Sequence, residues 1–302
     1  MRKTKIPSAG YTFSKMTSAD LRRVSGASST SQKCRGSILH ISKGSTLRKP
    51  VEVTIKDPYS ALFIFAEEKS SSVIRLRLSS KGKGASHVTK VHLAESSHLT
   101  LITLDESSGG AITQECSIEK GARAQWICAS FGKGKVMHNF RSEMPARGST
   151  CDVRWLFSAN GEDHFHLSAR LDLAGAKNRG TVDMRGIAAG KAHVTCDGSV
   201  SVQRTAKGSQ GHLTQRALML GEKADIRMVP KLAVHTRDTE ASHSASALRI
   251  TDDALFYLQS RGIPPAKARR MYAEGFLREA LMGLEDEKTR ERIVRRLTGK
   301  VR

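Results

Sequence analysis

The residues with the clearest capacity for metal chemistry lie in one short segment near the C-terminal third of the chain. Residues 238–246 read DTEASHSAS, so two carboxylates, several hydroxyl groups and His243 are close in sequence. A neutral imidazole can bind iron or zinc, and a carboxylate can complete the ligand shell. A histidine in such a segment can equally act as a capping or hydrogen-bonded structural residue. The residue types alone leave both roles of His243 open.

Two other groups of residues suggest ligand binding less specifically. His164 and His166 are two apart in a strand pattern and share one face, but no spacing supplies a third metal ligand, so we interpret them as part of a solvated face. The Gly/Lys runs at residues 81–84 and 132–135 do not have the spacing of a Walker A loop. We interpret both runs as basic turns and predict no ATP site in this chain.

The five cysteines, at positions 34, 116, 128, 151 and 196, are widely spaced and include no CxxC pair. This usage is typical of free thiols in a reducing compartment. The longest apolar run is far shorter than the roughly 20 residues of a membrane-spanning helix, and no secretory signal follows the charged N-terminus. We therefore expect a cytoplasmic protein with no membrane span.

The chain is strongly basic, with a net charge of +21 and an isoelectric point near 10.1. Such a charge attracts nucleic acid, anionic membrane surfaces or an acidic partner protein. Only 5% of the residues are aromatic, so the stacking platforms of single-strand binders are scarce. The sequence does not favour specific nucleic-acid binding.

Three regions of different composition must position these residues. Residues 1–35 are basic and poor in large apolar side chains, which predicts a flexible arm with at most a short helix near residues 18–23. Residues 36–250 show short runs of alternating apolar and polar side chains, clearest at residues 164–173, separated by glycine-containing turns. The pattern predicts a mainly β core.

Periodicity does not decide between a β-sandwich and a β-solenoid. Matched strand pairs with two-residue hairpin turns are scarce, which favours a β-helix, although residues 160–161 (Asn-Gly) form one candidate hairpin turn. No strict sequence repeat selects the solenoid.

Residues 251–302 carry helix signals. Asp252 or Asp253 can cap a first helix that ends at Gly262, and Pro264 suits the first turn of a second. The second helix has apolar residues at spacings of three and four, which predict one apolar stripe that must pack against something: Ala268, Met271, Tyr272, Gly275, Phe276 and Ala280. Acids from residue 285 and arginines from residue 290 predict a third short helix.

Two motifs in these regions resemble a known family. Residues 238–243 (DTEASH), followed by Asp252 and by residues 255–263 (LFYLQSRGI), are similar to the C-terminal signature of SufB/SufD proteins. The SufD branch of that family reads D-x-x-x-SHGAT and then LFYLRSRGI. Weaker similarity at residues 186–190, 213–215 and 230–232 extends the resemblance over most of residues 85–283.

The resemblance implies a right-handed parallel β-helix core with a C-terminal α-helical segment. It also implies a non-catalytic scaffold of iron–sulfur cluster assembly in the SUF system. Its partners would be an ABC-type ATPase, SufC, and a SufB-like paralogue or a second copy of the chain. The helices after Asp252 would bind the ATPase through residues matching the motif and the stripe: Leu255, Phe256, Tyr257, Arg261, Gly262, Tyr272 and Phe276.

Departures from the SufB pattern place the chain closer to SufD. SufB has an essential cysteine after a Thr-Gln pair, where this chain has Arg216, and a glutamate after the later histidine, where it has Ser244. His243 alone matches a functional residue of the family, so it is the candidate iron or cluster ligand at a partner interface. Ser244 also replaces the glycine that is usual at this position in SufD. The chain resembles a short form of the family without the long N-terminal helical region.

A different class of function also fits a basic β-solenoid. Such a chain could be an enzyme acting on an anionic polysaccharide, with basic residues for binding and Asp or His for proton transfer. No acid/base pair for that chemistry can be assigned from the sequence.

Overall fold

The computed structural model describes residues 3–4, 10–15, 35–80, 84–282, 284 and 286–299. The predicted helix at residues 18–23, Cys34 and the first three residues of the 81–84 turn lie outside the described residues. Within the predicted arm, the described strand at residues 11–15 pairs with the first strand of the core. For the rest of residues 1–34 the flexible arm stays a prediction.

The described residues form 18 strands and three helices. The strands are β1 Lys3–Thr4, β2 Tyr11–Lys15, β3 Arg35–Ile41, β4 Val51–Ile55, β5 Tyr59–Ala66, β6 Ser71–Leu78, β7 Ser86–Leu93, β8 His98–Asp105, β9 Gly110–Ile118, β10 Arg123–Ser130, β11 Lys135–Met144, β12 Thr150–Ala159, β13 His164–Leu173, β14 Arg179–Ala189, β15 His193–Val202, β16 Ser209–Leu220, β17 Asp225–Val234 and β18 Thr239–Arg249. The helices are α1 Asp252–Ser260, α2 Pro265–Ala280 and α3 Glu287–Thr298.

Successive strands alternate between two parallel sheets. The odd-numbered strands from β3 to β17 form the first sheet, to which β1 and β2 add antiparallel, and the even-numbered strands from β4 to β18 form the second. Each strand therefore pairs with the strand two further along the chain, one coil away. The fold is a parallel β-solenoid with three C-terminal helices, which confirms the predicted fold class.

The candidate hairpin at residues 160–161 is wrong. That turn joins β12 to β13, which lie in different sheets, so it is a corner between the two sheets.

The interior consists of side chains stacked in register from coil to coil. One column of the second sheet contains Leu101, Trp126, Val153, Val182 and Leu213, all of them buried. Alternation puts every second side chain of a strand into such columns, and the parallel register stacks them on one another. The burial of these columns is the main source of hydrophobic stabilisation in the core.

A buried polar network interrupts the apolar core in the middle coils. The Gln114 Oε1 atom lies 3.3 Å from the Trp126 Nε1 atom and 2.8 Å from the His138 Nε2 atom, and the Gln114 Nε2 group donates to Thr103 Oγ1 at 2.9 Å. An indole N–H can only donate, so the Gln114 oxygen accepts both bonds. His138 therefore carries its proton on Nε2.

A second buried histidine lies nearby. The His87 ring contacts Ser60 Oγ through Nδ1 and Thr89 Oγ1 through Nε2, both at 2.8 Å. Burial lowers the pKa of His87 to about 3 and, with a smaller effect from His87, that of His138 to about 3. Desolvation favours the neutral ring because the charged form loses its hydration.

These two histidines predict a pH dependence of stability. Each has its pKa lowered on folding, so the unfolded chain takes up two extra protons between about pH 3 and 6.5. Stability is complete above that range and falls by about 1.4 kcal/mol per pH unit for each histidine as the pH drops through it. Denaturant titrations at several pH values give the free energy of unfolding as a function of pH. Between about pH 3 and 6.5 it should change less steeply with pH in His87→Gln/His138→Gln than in the wild type.

The exposed pair His164 and His193 gives the matched control. The double change His164→Gln/His193→Gln should leave the dependence of the free energy of unfolding on pH as it is in the wild type, because both side chains are exposed. If both double variants weakened the pH dependence of stability equally, that dependence could not be attributed to the buried His87 and His138.

Candidate functional site

His243 lies where the interior column of the second sheet reaches the end of the solenoid. It pairs in register with the buried Leu213, so it continues the column that runs from Leu101 through Trp126 to Leu213. Its side chain is exposed because the described residues add no further coil beyond β18. The imidazole therefore stands at the open end of the core.

The neighbours of His243 face other directions. Ser242 is on the outer side of β18, where its hydroxyl contacts the His212 Nδ1 atom at 2.8 Å. Ser244 Oγ lies 3.5 Å from Thr214 Oγ1. Among the described residues, no group of three or more His, Cys, Asp or Glu side chains could hold a metal ion. Within the part of the chain that the structure describes, His243 offers one imidazole and has no further metal-binding side chains grouped with it.

The end of the solenoid is open on both sheets. β17 and β18 are the last strands of their sheets, and each has a partner strand on one side only among the described residues. Val234 and Leu248 are exposed there, while Ile226, Met228 and Leu232 are only partly buried. Free backbone groups beside apolar side chains make such an edge a template for another strand.

The position of the expected SufB cysteine lies on the opposite face of the sheet from His243. Arg216 points outward, and its guanidinium Nη1 atom lies 3.3 Å from the Glu279 Oε1 atom of α2. The preceding Gln215 is buried and donates to the Cys196 carbonyl at 3.1 Å. Arg216 therefore has a structural partner in the helices.

The four cysteines within the described residues are free and buried. Burial raises the pKa of the Cys151 thiol to about 12 and raises the pKa of the Cys116 thiol well above its usual range. Buried thiols of this kind stay protonated and unreactive. They do not form a ligand set with His243.

The other sequence candidates have structural contacts. His164 and His166 do share an exposed face, where the His164 ring stacks on His193 at 5.0 Å between centroids and the His166 Nε2 atom lies 3.2 Å from Asp197 Oδ2. In the Gly/Lys turn at residues 132–135, the Gly134 N–H donates to the Asp163 carboxylate at 2.7 Å. That amide is used within the chain rather than offered to a phosphate.

Helix α1 presents most of the motif residues to solvent. Thr251 caps it by accepting from the Ala254 N–H, and Gly262 follows it with a φ of +81°, a conformation that favours glycine. None of its residues is buried: Phe256 is 73% exposed and Tyr257 is 60% exposed. The Arg261 guanidinium lies 5.6 Å from the Tyr257 ring centroid. Leu255 is half-buried.

The apolar stripe predicted for α2 is divided by the structure. Ala268 and Ala280 are buried as expected, but the centre of the buried face is Ala273 and Leu277, which the predicted stripe omitted. Met271, Tyr272 and Gly275 are exposed. Phe276 is partly buried at the margin of the packed face. The stripe was wrong for Met271, Tyr272 and Gly275, because the apolar outer surface of the second sheet selects which face of the helix docks.

The docked face packs on outward-facing residues of the second sheet. This outer cluster combines side chains of the sheet with side chains of α2 and α3: Ile102, Leu104, Ile127, Ala129, Phe131, Leu156, Ile187 and Leu218 from β8 to β16 and the loop after β10, and Ala273, Leu277, Ala280, Leu281, Leu284, Ile293, Val294 and Leu297 from the helical segment. The helices therefore cover one face of the solenoid.

Ion pairs surround this outer cluster. Glu279 of α2 contacts Arg185 at 2.8 Å as well as Arg216, and the hydrogen bond from Arg185 lowers the pKa of the Glu279 carboxyl. Asp286, which caps α3, pairs with Arg75, and Arg296 of α3 pairs with Glu106. The Arg185 side chain is buried, whereas the Glu279 side chain is 48% exposed, so this pair lies at the border between the packed face and solvent. These pairs fix the position of the helices on the sheet.

No helix of the described residues has the length and apolar character of a membrane span.

Comparison with known proteins points to one family. The family model described as "SUF system FeS cluster assembly, SufBD core domain" matches residues 56–276. An iron–sulfur cluster assembly SufBD family protein of Mycobacterium tuberculosis is 24% identical over 273 residues, which cover 85% of this chain and 68% of that protein.

Two relatives carry the name SufD. The iron–sulfur cluster assembly protein SufD of Escherichia coli is 29% identical over 155 residues, or 51% of this chain and 33% of its own length. That of Bacillus subtilis is 24% identical over 281 residues, or 88% of this chain and 64% of its own length. The matched regions therefore span less than two thirds of either SufD protein.

The packing of α2 gives a testable prediction. Leu277→Ala should lower the free energy of unfolding by about 2–5 kcal/mol, because it leaves a cavity between the helix and the sheet. Met271→Ala, on the exposed face of the same helix, should change it by less than about 0.5 kcal/mol. Denaturant unfolding followed by circular dichroism measures both, and equal effects would contradict the assignment of the docked face.

Proposed function

Because the chain belongs to the SufB/SufD family and has a role in iron–sulfur cluster assembly, we propose that it is a non-catalytic scaffold subunit of the SufD type. The observation that carries this proposal is the position of His243 at the open end of the core column, in register with Leu213. An exposed imidazole at an unpaired sheet edge is suited to share a ligand shell with another chain.

The open edge is the proposed site of association with a SufB-like chain or with a second copy of this chain. β17 and β18 can extend their sheets into the edge strands of a partner, which would satisfy free backbone groups and cover Val234 and Leu248. His243 would then lie inside the interface. The partner would contribute the thiolate or carboxylate ligands that complete the shell for iron or a transient cluster.

The second proposed interface binds an ABC-type ATPase of the SufC kind. Phe256 and Tyr257 are large, exposed and held on a short helix, a combination that marks a protein-binding surface. With Leu255, Arg261, Gly262, Tyr272 and Phe276 they form the proposed ATPase dock.

Charge around the dock indicates the character of the ATPase surface. Arg261, Lys267, Arg269 and Arg270 are exposed beside the apolar residues, so an apolar groove with an acidic rim would complement it. Glu279 and Leu277 attach the opposite face of α2 to the solenoid. ATP-driven movement of the ATPase would therefore be transmitted to the second sheet through α2. The ATP itself would be bound and hydrolysed by the ATPase chain.

The dock can be tested by point changes rather than by deletion of residues 252–302, since deletion would expose the outer cluster. Phe256→Ser/Tyr257→Ser should weaken binding of a SufC-type ATPase at least tenfold, as expected for loss of central aromatic anchors. Isothermal titration calorimetry measures this affinity. The control is Phe65→Ser/Met137→Ser, which removes two exposed apolar side chains of the first sheet and should leave the affinity unchanged. Wild-type affinity in the dock variant would refute the assignment.

The role of His243 is tested on the complex purified with its SufB-type partner and the ATPase. His243→Ala should reduce the iron content of the complex while leaving its assembly and melting temperature unchanged, because an exposed ligand is lost without emptying a core. The control is His212→Ala, one strand away on the outer face, which should keep wild-type iron content.

The opposite pattern identifies a structural histidine. Lowered stability of the isolated chain by about 1–3 kcal/mol with unchanged iron content would show that His243 serves a hydrogen bond rather than a metal.

A further inference from the structure

The turns that lead from the first sheet to the second stack directly on one another. The Gly121 N–H donates to the Arg147 carbonyl at 3.1 Å, and the Lys177 N–H donates to the Lys207 carbonyl at 2.8 Å. Between them, the Gly148 N–H donates to the Ala176 carbonyl at 3.0 Å. Successive turns are therefore about 4.8 Å apart along this corner of the solenoid, the spacing of hydrogen-bonded strands.

In three successive turns before the last coil, this corner carries only positive charge. The turn segments 145–150, 174–179 and 203–210 contain five cationic residues and no acidic residue. With the first residue of β10, one coil earlier, they form a row that we call the basic ridge: Arg123, Arg147, Lys177, Arg179, Arg204 and Lys207. All six side chains are exposed, and none has an ion pair with another described residue.

Acidic residues limit the basic ridge at both ends. On the earlier turns, Lys43 pairs with Glu68 and Lys120 pairs with Glu95, so their charges are neutralised within the chain. Glu119 precedes the ridge. Beyond it, Asp238 and Glu240 accompany Arg237 on the last coil. The uncompensated charge is thus confined to about four coils.

We propose that the basic ridge binds the phosphate backbone of duplex nucleic acid without sequence preference. None of the exposed large apolar side chains of the described residues lies in the three turn segments. A folded protein partner would need such side chains for the core of its interface, whereas phosphate contacts need only cations. Turns along one edge also present no helix or ribbon that could enter a groove and read base edges.

The dimensions of the ridge suit a rigid polyanion. Four coils cover about 14 Å, over which a duplex presents about four phosphates on each strand. The stacked backbone fixes the spacing of the cations, so binding orders only the side-chain ends. We expect weak, salt-dependent binding, with a Kd of about 10⁻⁴ to 10⁻⁶ M at physiological salt. This surface gives the high net charge of the chain a function separate from cluster assembly.

The test measures fluorescence anisotropy of a labelled duplex of about 20 base pairs, titrated with the full chain at several NaCl concentrations. The ridge variant is Arg147→Gln/Lys177→Asn/Lys207→Gln; asparagine suits position 177, whose φ is +56°. Its affinity should fall at least tenfold at about 50 mM NaCl. The slope of log K against log salt should become shallower by about two to three, since up to three phosphate contacts are lost.

The control removes the same charge elsewhere. Lys288→Gln/Arg292→Gln/Arg295→Gln changes three exposed cations of α3 that have no ion pair with another described residue. The basic N-terminal residues are unchanged in this variant. It should bind the duplex with wild-type affinity and with the wild-type slope of log K against log salt. Equal losses in the two triple variants would overturn the proposal, because binding would then follow net charge alone. Unchanged binding in the ridge variant would overturn it as well.

Two further measurements fix the identity of the ligand. Tighter binding of poly-glutamate than of duplex at equal charge concentration would overturn the proposal in favour of an acidic protein segment. A strong preference among duplexes of different sequence would overturn its sequence independence. The ridge variant should bind the ATPase normally, so failure here is distinguishable from failure of the proposed scaffold role.

Discussion

The parallel, in-register hydrogen bonding between successive coils is the constraint on which the rest of this structure depends. Because each strand pairs with the strand one coil away, residues at corresponding positions must stack directly over one another. Inside, the stacking produces continuous columns such as the one through Trp126 and Leu213. At the corner it places cations in a row, where their mutual repulsion is tolerated because water and salt screen them. The same rule thus generates the core, the position of His243 and the basic ridge.

The C-terminal helices are positioned by the outer face of the second sheet. Leu277 and its neighbours bury the apolar side chains that β8 to β16 direct outward, so helix and sheet each cover a surface that the other would leave exposed. Glu279 adds contacts to Arg185 on β14 and Arg216 on β16, linking two adjacent coils. Phe256 and Tyr257 of α1 take no part in this packing and are exposed. One helical segment therefore has a structural face and a face available to a partner.

Local pattern predicted those features that depend on a single strand or helix. The alternation at residues 164–173 indicated β13, and the acid and glycine signals at Asp252 and Gly262 indicated α1, although Thr251 rather than Asp252 or Asp253 supplies its cap. The choice between sandwich and solenoid depends on which strand pairs with which, and the partner of each strand is a whole coil away. The scarcity of hairpin turns favoured the solenoid, and the resemblance to the SufB/SufD family decided the choice.

The site prediction was also incomplete because contacts between residues distant in sequence are not visible in a local pattern. His243 was found through its motif, but its place at the end of a core column follows from its register with Leu213. The docked face of α2 was missed because helix periodicity does not show which neighbouring surface is apolar. The turns that carry Arg147, Lys177 and Lys207 are far apart in sequence, and only their backbone hydrogen bonds bring them together.

The column register also constrains how genes for such a chain can change in length. Insertion of one residue in β10 between Arg123 and Trp126 would move every later side chain of that strand to the opposite face and expose Trp126. Insertion or loss of an entire coil would keep every remaining column intact, and the turns can absorb single residues. Homologous chains can therefore diverge in length by whole coils while their final coil, with its histidine, stays the same. For this fold, a change in length is tolerated when it preserves the register of each residue within its coil, whatever it does to the distance of that residue from the start of the chain.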